Sequence, residues 1–88
     1  MRAILTTIGE DKVGIIARVS RYLADSRINI LDVSQTIMDG NFTMMMLVDL
    51  PNKSNFQKLS SELDNLGQAV DVEIKIRNER IYEAMHKL

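Results

Sequence analysis

Six consecutive residues, Gly9-Glu10-Asp11-Lys12-Val13-Gly14, put two glycines, two carboxylates and an ammonium between a β-prone run and an amphipathic helical pattern. The chemistry such a junction can do is recognition. Glycine lets the backbone bend sharply and approach a small molecule closely. A helix that starts here aims its unpaired N–H groups back at the turn, an arrangement that suits a carboxylate. Asp11 can face an ammonium with one oxygen while the other accepts from the helix. Asn29 and the backbone of Ile30, at the start of the next extended run, can add polar contacts. Glycine geometry, helix capping by Asp11 and a self-bonded loop Asn29 are the structural alternatives for the same residues.

The elements that must hold these residues follow from periodicity. Arg2–Ile8 reads as a strand, with Ile4, Thr6 and Ile8 on one face and Ala3, Leu5 and Thr7 on the other. Val13 to about Ser26 reads as a helix with Asp11 as its N-cap and an Ile16, Val19, Leu23 stripe. Ile28–Met38 and Phe42–Leu50 read as strands joined by an Asp39-Gly40-Asn41 hairpin signal. Phe42, Met44, Met46 and Val48 share one face of the second; both of its faces are apolar, as in a central strand covered on each side. A second helix is predicted with Ser54 as N-cap, Gln57 completing a capping box, a Phe56, Leu59, Leu63, Leu66 stripe and Gly67 just past its end. Val70–Ile76 alternates with Asp71, Glu73, Lys75 and Arg77. Ile81, Met85 and Leu88 line one side of a predicted C-terminal helix.

The order β-α-β-β-α-β predicts an α+β, ferredoxin-like sandwich: a four-stranded antiparallel sheet with two helices on one face, plus the C-terminal helix. Residues 1–78 form the domain and 79–88 a helical extension. The sheet's other face must be wet or covered, and Met44, Met46, Ile81, Met85 and Leu88 are the expected interface residues.

At 88 residues the chain is one small domain, a size at which homodimerisation often supplements a limited core. Eleven basic and twelve acidic residues are interspersed, for a net charge of −1, with no basic stripe for nucleic acid. Only Phe42 offers an aromatic on the central strands, too few for base stacking. Cysteine is absent and the single histidine, His86, is remote, so neither a metal centre nor a cofactor is expected. No apolar run is long enough to span a membrane, and a cytoplasmic location is expected.

Gly9-x-Asp11-x-x-Gly14 after the first strand, Asn29-Ile30 opening the second, and Asp39-Gly40 before a Phe-x-Met-x-Met strand together resemble the ACT domain. The stretch Asp11–Ser20 is similar to the type seen in glycine-cleavage repressors and at the front of formyltetrahydrofolate deformylases. The resemblance covers residues 2 to 78. It implies a ferredoxin-like fold, dimeric pairing, and often an amino acid held at the domain interface. Carried over by position, the ligand region is Gly9, Glu10, Asp11, Lys12, Val13 and Gly14 with Asn29 and Ile30. In serine-binding members the position of Gly9 carries His, that of Asp11 carries Asn and that of Val13 carries Pro; this chain departs at all three.

Two functions compete. One is a non-catalytic regulatory module binding a small amino acid or related metabolite between two subunits. The other is a protein-protein interaction module with no small ligand. Catalysis is not expected: there is no Ser-His-Asp, Cys-His or paired-carboxylate arrangement. Glu10 and Asp11 would repel the phosphate of an acylphosphatase-like substrate.

Overall fold

The computed structural model describes residues 1–10, 14–51 and 55–78. Six elements follow one another: β1 (Arg2–Glu10), α1 (Ile15–Asp25), β2 (Asn29–Met38), β3 (Asn41–Asp49), α2 (Phe56–Val70) and β4 (Val72–Asn78). The four strands form one antiparallel sheet in the order β2-β3-β1-β4. This is the ferredoxin-like sandwich that the sequence predicts. The expected C-terminal helix, with Ile81, Met85 and Leu88, lies outside the described residues.

Strand alternation decides which side chains meet the helices. Ala3, Leu5 and Thr7 of β1, Phe42, Met44, Met46 and Val48 of β3, and Ile74 and Ile76 of β4 are all buried. Ile15, Val19 and Leu23 of α1 and Leu63 of α2 close over them. Met44 and Met46 are 0% and 2% exposed within the single chain. That corrects their expected place at an interface: they fill the core, where a flexible thioether packs well. The residues that β3 offers on the opposite, open face are Thr43, Met45 and Leu47.

Local chemistry sets the element ends, and several differ from expectation. α1 begins at Ile15 with Gly14 as its N-cap, in place of Asp11. Gly14 has φ 91°, a left-handed conformation that side chains resist. The buried stripe is Ile15, Val19, Leu23, and Ile16 is left 44% exposed. α2 is capped by Asn55, whose side chain accepts from the Lys58 amide at 3.1 Å. Gly67 does not end α2 but sits inside it, and Asp71 (φ 61°) provides the left-handed stop. The reason is a close approach: a Cβ on Gly67 would come within 2.6 Å of the Val72 carbonyl oxygen. Asp39 and Gly40 both have positive φ, the geometry of a type I′ hairpin turn, between the paired Met38 and Asn41.

The outer strands differ in dress. β4 carries exposed Glu73, Lys75 and Arg77, and Lys75 reaches Asp64 of α2 at 3.2 Å. β2 carries exposed Leu31, Val33 and Ile37, with a bulge between Ile30 and Asp32.

Candidate functional site

β1 ends at Glu10, in register with Asn41 of β3, so the β1–α1 turn leaves the sheet at the hairpin end. Gly14 then opens α1. It has no side chain to cap with, and the first turn of α1 contains no acidic residue. The first helical bond is Arg18 N–H to the Gly14 carbonyl at 2.9 Å. The N–H groups of Ile15, Ile16 and Ala17 therefore precede the helical ladder and face the turn, as they do at any α-helix start. This is the feature on which recognition of a carboxylate would rest.

The two glycines have separate structural duties. Gly14 is needed for its φ, and nothing lies within 4 Å of where its Cβ would be. Gly9 is needed for close packing: a Cβ there would meet Val72 Cγ1 at 2.6 Å. Val72 thus fills the space beside Gly9 that a side chain there would need. Glu10 and Gly14 are exposed. Asp11, Lys12 and Val13 lie outside the described residues.

Asn29 and Ile30 are at the other end of the sheet. Asn29 pairs with Asp49, while Gly9 pairs with Phe42. Seven residues of β3 separate the two rows, roughly 23 Å at strand rise. One chain therefore does not bring the turn and the Asn29–Ile30 segment together. Strand pairing could not be deduced from the motifs alone, because both segments flank α1 and a helix separates its ends as widely as it is long.

Two surface depressions accompany these ends. One of about 380 Å³ lies between the end of α1 and the start of α2, lined by Ser26, Ile28, Asn55, Lys58 and Glu62. Tyr22 projects near it. Its hydroxyl is buried with no hydrogen-bond partner, although Ser26 and Glu62 lie beside it. Burial raises its pKa; Ser26 acts in the opposite sense and the Glu62 carboxylate adds to the rise. The other, about 310 Å³, is on the open face, lined by Ile4, Asp32, Ser34, Met45 and Leu47. The sequence reading missed both, since neither has a contiguous signal. Among the described residues no cluster of His, Cys, Asp or Glu could hold a metal ion, and no helix is long and apolar enough to cross a membrane.

A family model described as the ACT domain matches residues 2–77. A UPF0237 protein of Listeria innocua is 54% identical over 89 residues, covering 100% of both chains. Among solved structures, an ACT domain protein from Streptococcus pneumoniae superposes with a TM-score of 0.86 at 43% identity, covering 94% of each chain. A putative glycine cleavage system transcriptional repressor superposes with a TM-score of 0.79 at 19% identity. That alignment covers 86% of this chain and 45% of the repressor, and shows a shared fold.

Proposed function

The chain belongs to the ACT domain family, whose members are typically regulatory ligand-binding domains, and from that premise we propose that it is a non-catalytic cytoplasmic sensor of a small amino acid or related metabolite, bound between two copies. The observation that supports this most is the start of α1. Its N–H groups open without a side-chain cap from Gly14, beside exposed Glu10 and Gly14, in a stretch whose sequence carries Asp11 for an ammonium. A zwitterion needs both an anion and a cation contact, and this turn offers both.

The separation of the two candidate segments adds a requirement. Asn29 and Ile30 can share a ligand with the turn only if they come from another copy. A two-fold axis that sets two sheets antiparallel supplies such a copy, since it brings opposite ends of the fold to the same level. The ligand then bridges subunits and shifts their association by its preference for the paired state. Isothermal titration of the folded dimer against the common amino acids tests this. Binding of one or a few, weakened when Asn29 becomes Ala, is the expected result. Uniform absence of heat with an intact dimer rejects it.

The open-face groove at Ile4, Met45 and Leu47 favours a second reading, a protein-protein module without a small ligand. Loss of a stoichiometric partner on converting Met45 to Lys, with amino-acid titrations silent, would select it.

A further inference from the structure

The side of the sheet turned away from α1 and α2 carries one apolar block, and the strand register fixes its place. Ile4 of β1 faces Leu47 of β3, and Leu47 faces Asp32 of β2; on its other side Ile4 faces Arg77 of β4. The next row of the same face runs Lys75, Thr6, Met45, Ser34. Ile4, Met45 and Leu47 therefore form a half-buried centre, with exposed Arg77 and Lys75 on one border and exposed Asp32 and Ser34 on the other. The groove of about 310 Å³ opens at the β2 border of this block. Neither helix covers it, because both pack against the buried residues of the opposite face.

Where the chain goes next indicates the cover. β4 ends at Asn78, which pairs with Ala3, one residue beyond the pairing of Arg77 with Ile4. The chain thus leaves the sheet beside the block, and ten further residues follow. In them Ile81, Met85 and Leu88 recur at i, i+4 and i+7, the spacing of one helix side, while Glu83, His86 and Lys87 fall on the other.

We propose that residues 79–88 fold back across the open face of their own chain as a short helix, with Ile81 over Ile4, Met85 over Met45 and Leu47, and Leu88 in the groove beside β2. The step lengths agree. Four helical residues advance about 6 Å and seven about 10.5 Å. Neighbouring strands lie about 4.8 Å apart, so β3 is one such step from β1 and β2 is two, roughly 9.6 Å. A helix laid across the strands brings its stripe over β1, β3 and β2 in turn. Glu79 and Arg80 supply the bend from the sheet edge onto the face. Lys87 arrives at the β2 border, where exposed Asp32 offers the opposite charge.

A second copy is the weaker occupant. Stable dimers bury about 800 Å² per partner, and three half-buried side chains between charged borders fall short of that. The tether favours the segment as well, since a tail joined beside its docking place meets it at high effective concentration. A protein partner reaches the groove only by displacing residues 79–88, which makes them a built-in competitor for that surface. The cover does not depend on amino-acid binding.

The chain has no cysteine, so introduced thiols report geometry cleanly. Leu47→Cys combined with Met85→Cys is expected to form an intrachain disulfide under mild oxidation, running as a monomer on a non-reducing gel. Thr43, exposed on the same face, lies four residues from Leu47 along β3, roughly 13 Å. Thr43→Cys with Met85→Cys is therefore expected to cross-link about ten-fold less. In a second arm without oxidation, the single thiol of Leu47→Cys is expected to react with a soluble disulfide reagent about ten-fold faster once Met85→Asp is added, with the far-UV spectrum still that of a folded domain. Met45→Cys replaces Leu47→Cys if the latter fails to fold. Equal yields from the two pairs, an interchain disulfide, which would place another copy on this face, or a thiol whose reactivity ignores Met85→Asp overturns the proposal.

Discussion

Two hydroxyls are out of place, and each makes a prediction. Thr7 is fully buried on the helix side of β1 and its Oγ1 has no hydrogen-bond partner. A buried donor without a partner loses its hydration and recovers nothing. Thr7→Val keeps the shape and the β-branch, and is expected to raise unfolding stability by about 1 kcal/mol, read from the denaturant midpoint. Tyr22 is the second. Its pKa is raised above the ordinary 10.0 in the fold, chiefly because burial disfavours the phenolate. A raised folded pKa means the stabilisation is full below the unfolded value and is lost as pH climbs through the folded one. The wild type is therefore expected to lose stability above about pH 10, and Tyr22→Phe to lack that part of the loss in pH-dependent melts.

At the scale of elements, the strongest constraint is contact between backbones. Helix propensity favours Ala over Gly by about 1 kcal/mol in a helix interior. At Gly67 the steric term wins, because the new Cβ would strike the Val72 carbonyl at 2.6 Å and main-chain atoms cannot step aside cheaply. Gly67→Ala is expected to destabilise by roughly 1–3 kcal/mol, seen as a lower melting temperature. The same contact explains where sequence reading failed. Gly67 reads as a helix stop, since nothing local announces that β4 passes beneath it. Asn55 caps in place of Ser54, as both are good caps one residue apart and only the fold of the loop chooses. β4 was legible because strict alternation of apolar and charged residues states a buried and an open face directly, and β1 and β3 because β-prone residues run between turn signals. The hairpin was legible because Asp39-Gly40 meets the demand for positive φ at both turn positions. Met44 and Met46 were assigned to the wrong side of the sheet. β3 is apolar on both faces, so composition does not tell which face the helices take.

The whole molecule adds what neither residues nor elements contain. The sequence marks both halves of the candidate site, the turn and the Asn29–Ile30 segment, but the distance between them exists only after β2 has folded along β3. If two copies share the site, stability depends on concentration. The melting temperature is expected to rise over about a hundred-fold increase in protein concentration. A concentration-independent melt in the wild type contradicts a folding-coupled pair.

Lys75 stretched to Asp64 has a further meaning for growth. Head-to-tail joining of β2 to a neighbour's β4 would repeat without end and yield a filament. The β4 border is short, bears charge at every second residue and is spanned by that ion pair, so it makes a poor acceptor for an incoming strand. Fibre growth through that border is thereby disfavoured.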